Sequence, residues 1–250
     1  FTPATMLKSE ATTFTFSNGH TPYKPNNFNS QYADKEITLA EAIALSDNVY
    51  AVKTHLFLGE KKLNATAKRF GIKSEMDTLP SSALGTSGVK VIEMVNAYGI
   101  LANGGKAIKP RFIKRVENYR GEVLYQAPGQ FEQAIDPDLA FVMTGMLTGV
   151  FNEQYNGHAT VTGATIIPKL TRQYAGKSGS TKTDSWMIGY TPDLVAGVWT
   201  GYDQGKLIES AAEKKYAKTV WADFMEESLK KSKFSQFTPA SKNVVAVQID

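Results

Sequence analysis

Apolar positions recur at helical spacing between Thr38 and Leu58, where Ala40, Ile43, Ala44 and Val49 supply part of one face. Thr38 stands as an N-cap with Glu41 three residues on, the capping-box pattern. Ser46-Asp47-Asn48 falls inside this stretch. All three residues favour caps and turns over helix interiors, so the triplet is expected to interrupt the helix or join two helices. Asn64–Phe70 reads as a short helix closed by Gly71, and Val91–Asn103 as another stopped by Gly104-Gly105. Over residues 111–126 the period changes. Phe112, Ile113 and Val116, a turn at Arg120-Gly121, then Val123-Leu124-Tyr125 predict a two-stranded hairpin. Asp136–Val150 is a strongly apolar helix opened by Asp136-Pro137.

Two stretches break the pattern. Residues 14–32 are rich in Asn, Ser, Tyr, Pro and Gly and read as an exposed loop, and Asn152–Leu170 is polar with glycines. Three strands follow, Gln173–Thr181, Trp186–Thr191 and Leu194–Tyr202, with turns too short for anything but an antiparallel meander. Glu209–Lys231 predicts a long helix, Ser232–Asn243 a linker and Val244–Ile249 a last strand. Helices, a small antiparallel sheet and a closing helix make an α+β chain with helices against a sheet.

Composition narrows the chemistry. The net charge of +4 is too weak to argue for nucleic acid, and no basic stripe is interleaved with aromatics. It fits work near anionic surfaces or substrates, and a surplus of surface lysines fits equally. The absence of cysteine excludes disulfides, thiolate metal sites and a Cys nucleophile. His20, His55 and His158 lie far apart without metal-ligand spacing and read as surface or loop residues. No metal or cofactor is expected, and proton transfer must proceed without an obvious histidine base. No apolar run reaches the roughly 18 residues of a membrane-spanning helix, and there is no signal-peptide pattern. The chain opens on Phe1-Thr2-Pro3-Ala4-Thr5 and reads as an internal fragment.

The densest chemistry lies at Lys177-Ser178-Gly179-Ser180-Thr181. On a strand Ser178 and Ser180 share a face, their hydroxyls about 7 Å apart, a spacing that holds a carboxylate or a peptide end. Gly179 allows another backbone to approach. Lys177 can turn its ammonium toward the same pocket. The Ser180 N–H is a candidate oxyanion donor, a kind of contact worth about 3–4 kcal/mol when well placed. Taken alone, so short and common a stretch is more often an ordinary polar strand edge. In the triplet, Ser46 is the candidate proton shuttle and Asn48 the amide that binds a substrate peptide bond, with Asp47 facing away to support the turn. An S-D-N followed by K-[TS]-G makes two of three signature elements of serine acyl-enzymes that attack penicillin-like amides.

The stretch from Gly176 to Thr181, with Asp184, Trp186, Gly189-Tyr190-Thr191-Pro192-Asp193-Leu194-Val195-Ala196-Gly197-Val198-Trp199 and Gly201-Tyr202-Asp203, closely resembles the transpeptidase domain of class A penicillin-binding proteins. Phe1-Thr2-Pro3-Ala4-Thr5-Met6-Leu7, Ala42-Ile43-Ala44-Leu45-Ser46-Asp47-Asn48 and Tyr98-Gly99-Ile100-Leu101-Ala102-Asn103-Gly104-Gly105 match in the same order. The resemblance implies an antiparallel sheet sandwiched by helices, as in serine β-lactamases, with the cleft at the edge strand carrying Lys177. It implies a partial transpeptidase domain over 1–232, with 233–250 a linker and strand that could begin another module. The implied reaction is D,D-transpeptidation. A serine attacks the penultimate D-Ala carbonyl of a peptidoglycan stem peptide, D-Ala leaves, and an amine from a neighbouring strand takes the acyl group. Ser46 then relays protons, Asn48 holds the acyl-side amide, and Lys177 sets the field around Ser46. Ser178 and Ser180, with Gly179 and Thr181 on the same strand, bind the terminal carboxylate or that of a β-lactam. The family usually has Thr at positions 178 and 180; Ser keeps the hydroxyl and loses the methyl.

The nucleophile is missing from this picture. Ser87-Gly88-Val89-Lys90 and Ser228-Leu229-Lys230-Lys231 both spell S-x-x-K, yet both follow Ser46, against the family's order. The serine is therefore expected on an upstream segment that stays bound as a partner, and this chain alone is expected to be inactive. The family also implies a place outside a bacterial cell membrane, an upstream anchoring helix and a glycosyltransferase domain. Two other readings compete: a penicillin-binding-like scaffold without catalysis, and a serine β-lactamase. Retention of Ser46, Asn48 and Lys177 argues against the first. Against the second, Glu60-Lys61-Lys62-Leu63-Asn64 spells the deacylating E-x-x-L-N but follows the S-D-N too closely, and reads as a solvated helix start.

Overall fold

Met6–Lys8 (β1) pairs antiparallel with Glu36–Thr38 (β2), Leu7 opposite Ile37, and ties the start of the chain to the first helices. A computed structural model describes this and the rest of the chain over residues 1–16, 21–129, 131–239 and 241–245. The pair has no sequence signal, because each strand is only three residues long.

Thr38 caps α1 (Leu39–Leu45), its Oγ1 accepting from the Glu41 N–H at 3.1 Å. Ser46 ends α1 in the left-handed region, with φ 58°, and Asp47 caps α2 (Asn48–Leu58). The triplet thus joins two helices, as the cap preferences of its residues require. α3 (Glu60–Arg69) begins four residues before Asn64, at the charged Glu60-Lys61-Lys62 read as a solvated helix start. α4 (Val91–Ala102) stops at Gly104-Gly105, both at positive φ. A Cβ at Gly105 would lie 2.4 Å from the Ile135 carbonyl oxygen, so only glycine fits.

β3 (Lys106–Ala107) pairs with β6 (Glu132–Gln133) and encloses the predicted hairpin, β4 (Arg115–Glu117) with β5 (Val123–Gln126). α5 (Pro137–Thr148) starts at Asp136, whose Oδ1 accepts from Asp138 and Leu139 N–H, and runs on as a single 3-10 turn to Phe151.

β7 (Ala175–Ser180), β8 (Asp184–Tyr190) and β9 (Val195–Gly201) form the antiparallel meander, in that order. α6 (Glu213–Leu229) covers one face, where Trp221, Met225, Met187 and Ala196 are buried together. The Trp221 ring lies over Gly189, where a Cβ would meet it at 2.4 Å, and its Nε1 donates to the Ala196 carbonyl at 3.1 Å. On the opposite face Ala175 and Tyr190 pack against Leu147 of α5 and the aromatic ring of Tyr98 of α4. Helices on both sides make this an α+β sandwich. α6 begins later than the predicted Glu209, because Ile208 is buried and its N–H is held by the Lys182 carbonyl. Of the predicted last strand, residues 246–249 lie outside the described residues, and Val244 and Val245 belong to no strand.

Candidate active site

The turn that carries Ser46 is fastened from beneath. Asp47 is buried, and its carboxylate accepts from the Tyr50 N–H at 2.7 Å, from Asn27 Nδ2 at 2.7 Å and from the Ser9 hydroxyl. Asn27 Oδ1 in turn accepts from the Asn48 N–H at 2.8 Å. A non-glycine residue in the left-handed region costs of order 1 kcal/mol and needs such support. Asn27 is buried, although it lies in a stretch whose composition reads as an exposed loop. Ser9 and Asn27 are the residues that sequence reasoning misses here. They stand 38 and 20 positions from Asp47, and no local pattern links them.

β7 is an edge strand of its sheet. The Thr181 N–H donates to the Asp184 carbonyl, so by the antiparallel alternation the odd-numbered residues of β7 bond to β8. The backbone groups of Gly176, Ser178 and Ser180 therefore face the open edge. Lys177 stands opposite Ile188, and its Nζ donates to Ser46 Oγ at 2.7 Å and to the Ser178 carbonyl at 3.0 Å. The ammonium is removed from water and lies near the positive charge of Lys218. Both effects disfavour protonation and push its pKa down to about 8.

The other predicted site residues are placed as follows. Ser178 and Ser180 share the face of Met187 and Ser185, the former half-buried and the latter exposed. Gly179 is exposed between them, and a Cβ there would make an ordinary 3.7 Å contact with the Trp186 Cβ. Asn48 sits at the first position of α2, and its Nδ2 donates to the Asn26 carbonyl at 2.7 Å. Thr181 is drawn into the β7–β8 turn: its Oγ1 donates to Asp184 Oδ2 at 2.7 Å and accepts from the Thr183 N–H at 3.1 Å. The structure thus brings Ser46 onto Lys177 and leaves Thr181 closing a turn.

The decoys have structural work of their own. Ser87 Oγ accepts from the Asp77 N–H, and Ser228 lies in the last turn of α6. Asn64 of the E-x-x-L-N string clasps the Met76 and Asp77 carbonyls from α3. His55, read as a surface residue, is instead buried on α2 with Nε2 3.1 Å from the Leu79 carbonyl oxygen. His20 lies outside the described residues. No cluster of metal-ligating side chains and no helix apolar enough to cross a membrane occurs among the described residues.

A lysine–serine pair at the open edge of a helix-sandwiched antiparallel sheet defines a class: folds that present a K-S-G strand and an S-D-N turn to a common cleft. Residues 4–226 match the penicillin binding protein transpeptidase domain, and the chain belongs to that family. It is 56% identical, over its full length, to penicillin-binding protein 2D of Bacillus subtilis (strain 168), of which it covers 36%. It is 33% identical to penicillin-binding protein 2a of Streptococcus pneumoniae over 72% of this chain and 25% of that protein. Relatives of this kind are class A penicillin-binding proteins, and the chain spans about a third of their length or less. The fold is that of penicillin-binding protein 1A from Haemophilus influenzae, with TM-score 0.83 at 22% identity over 96% of this chain and 41% of that one. It is also that of PonA1 from Mycobacterium tuberculosis, solved with penicillin V, with TM-score 0.77 at 22% identity over 95% of this chain and 66% of that one.

Proposed function

We propose that this chain is the larger part of a D,D-transpeptidase centre that cross-links peptidoglycan stem peptides through a serine acyl-enzyme and is blocked by β-lactams. The observation that carries the reading is the 2.7 Å contact from Lys177 Nζ to Ser46 Oγ at an open strand edge, in a chain of this family. The nucleophilic serine belongs to a segment upstream of residue 1. Motif order supports this, since both S-x-x-K strings here follow Ser46.

Each residue then has a task. A serine hydroxyl offers one donor and two acceptor positions. The ammonium of Lys177 occupies one acceptor position of Ser46 and leaves its O–H free to point into the cleft. When the upstream serine attacks the D-Ala carbonyl, its proton passes to the departing amine nitrogen by way of Ser46. Charge that develops on the carbonyl oxygen meets the Ser180 N–H on the free edge of β7. Asn48 exchanges its contact with Asn26 for the acyl-side amide. The substrate carboxylate goes to the Ser178 and Ser180 hydroxyls, with Gly179 admitting the peptide backbone, because the Thr181 hydroxyl is already engaged. An incoming amine then takes the acyl group by the reverse proton path. By the lengths of its relatives, the whole protein carries further domains, here proposed to be a glycosyltransferase and an N-terminal membrane anchor outside the cytoplasm. A fluorescent penicillin applied to the intact protein tests the reading. A stable covalent label supports it, no label supports a catalytically silent scaffold, and rapid loss of label supports a β-lactamase.

A further inference from the structure

Lys218 of α6 is half-buried against the loop that precedes β7, and its Nζ donates to the Thr162 carbonyl at 2.8 Å. The Thr162 N–H donates to the Ala44 carbonyl at 3.2 Å, in the last turn of α1. Two residues further on is Ser46, whose Oγ accepts from Lys177. One line of hydrogen bonds and backbone thus runs from α6 through a loop and α1 to β7. The loop is fixed at Thr162. The next residue, Gly163, is so tightly packed that a Cβ would lie 2.5 Å from the Phe151 ring and 2.6 Å from the Val150 carbonyl oxygen.

Lys218 is not held by a carboxylate. None of the four ion pairs among the described residues includes it, or Lys177. Taking an ammonium out of water without a counter-charge opposes folding, and an ordinary surface lysine avoids it by extending into solvent. Lys218 is instead turned onto the Thr162 carbonyl. Its positive charge, after burial, disfavours protonation of Lys177, and that of Lys215, on the same helix, does the same to Lys218.

We propose that Lys218 is a positioning residue for acyl transfer: through Thr162 it fixes the last turn of α1, which carries Ser46, and it places a second positive charge beside Lys177. The proposal rests on the transpeptidase reading above. A neighbouring cation makes the Lys177 ammonium easier to deprotonate, so loss of Lys218 raises the pH at which Lys177 gives up its proton.

The experiment follows the rate of acylation by a fluorescent penicillin against pH in the full-length protein, for the wild type, Lys218→Met and Lys218→Arg. Lys218→Met is expected to lower the plateau rate about tenfold through misplacement of Ser46 and to move the alkaline limb to higher pH. Lys218→Arg keeps the charge and is expected to return the limb to its wild-type position. An alkaline limb that stays in place in Lys218→Met overturns the proposal, even where the rate falls, since a merely structural lysine would behave that way. If Lys218→Met does not fold, Lys218→Gln, which keeps a donor for Thr162 without the charge, is read by the same limb. A wild type that takes no label defeats the transpeptidase reading itself, whereas a labelled wild type with an unmoved limb defeats only this proposal.

Discussion

Lys177 Nζ lies 2.7 Å from Ser46 Oγ, although 131 positions separate the two residues. Nothing local imposes the contact. It follows from an edge strand packed against α5 and from a two-helix turn whose Asp47 is fastened below it. Lys177→Ala removes the cation that orients the Ser46 hydroxyl. In the intact protein the acylation rate by penicillin is expected to fall at least about 10²-fold, some 3 kcal/mol at the transition state. Stopped-flow or gel-based labelling kinetics measure it, and an unchanged rate removes Lys177 from the mechanism.

The ionisation of Lys177 sets a pH limit. Burial and Lys218 hold its pKa at about 8, below the ordinary lysine value of 10.5. The protonated form is the donor to Ser46, so activity is present below that value and is lost as pH rises through it. An acylation rate that declines around pH 8 is the expected profile. A rate that stays flat up to 10.5 would show that the charge on Lys177 is not required.

Asp47→Ala strips three donors of a buried acceptor and removes the cap of α2. A cap costs about 1 kcal/mol and each buried donor left unpaired about 1–3 kcal/mol, so thermal unfolding should come markedly earlier. Acylation should fall as well, because Ser46 loses the support for its left-handed backbone. A variant that melts like the wild type would mean that α1 and α2 hold the turn without Asp47.

Gly189→Ala tests the α6 face of the sheet. Its Cβ would stand 2.4 Å from the Trp221 ring and 2.9 Å from the Ala175 carbonyl oxygen. Overpacking of this kind costs about 1–3 kcal/mol. Calorimetry should show a lower Tm, and an unchanged Tm would mean that α6 can slide off the strand freely.

Much of this was legible in the sequence because the determinants are local. The break at Ser46-Asp47-Asn48, the stop at Gly104-Gly105 and the meander after Gln173 each depend on cap, turn or alternation chemistry within a few residues. The pairing of β1 with β2 and the roles of Ser9, Asn27 and Thr162 were not legible. They depend on contacts between segments tens of residues apart, and a buried loop asparagine is spelled like an exposed one. Nothing in the sequence marks Lys218, since composition cannot tell which face of α6 meets the sheet. Thr181 reads as part of the binding strand, but the nearby Asp184 draws its hydroxyl into a turn.

The central claim is a centre shared between this chain and an upstream serine. Peptide mapping by mass spectrometry of the penicillin-labelled intact protein tests it most directly. The account predicts the adduct on a serine of an S-x-x-K before residue 1, with every peptide of residues 1–250 unmodified. An adduct on Ser46, Ser87 or Ser228 would contradict it.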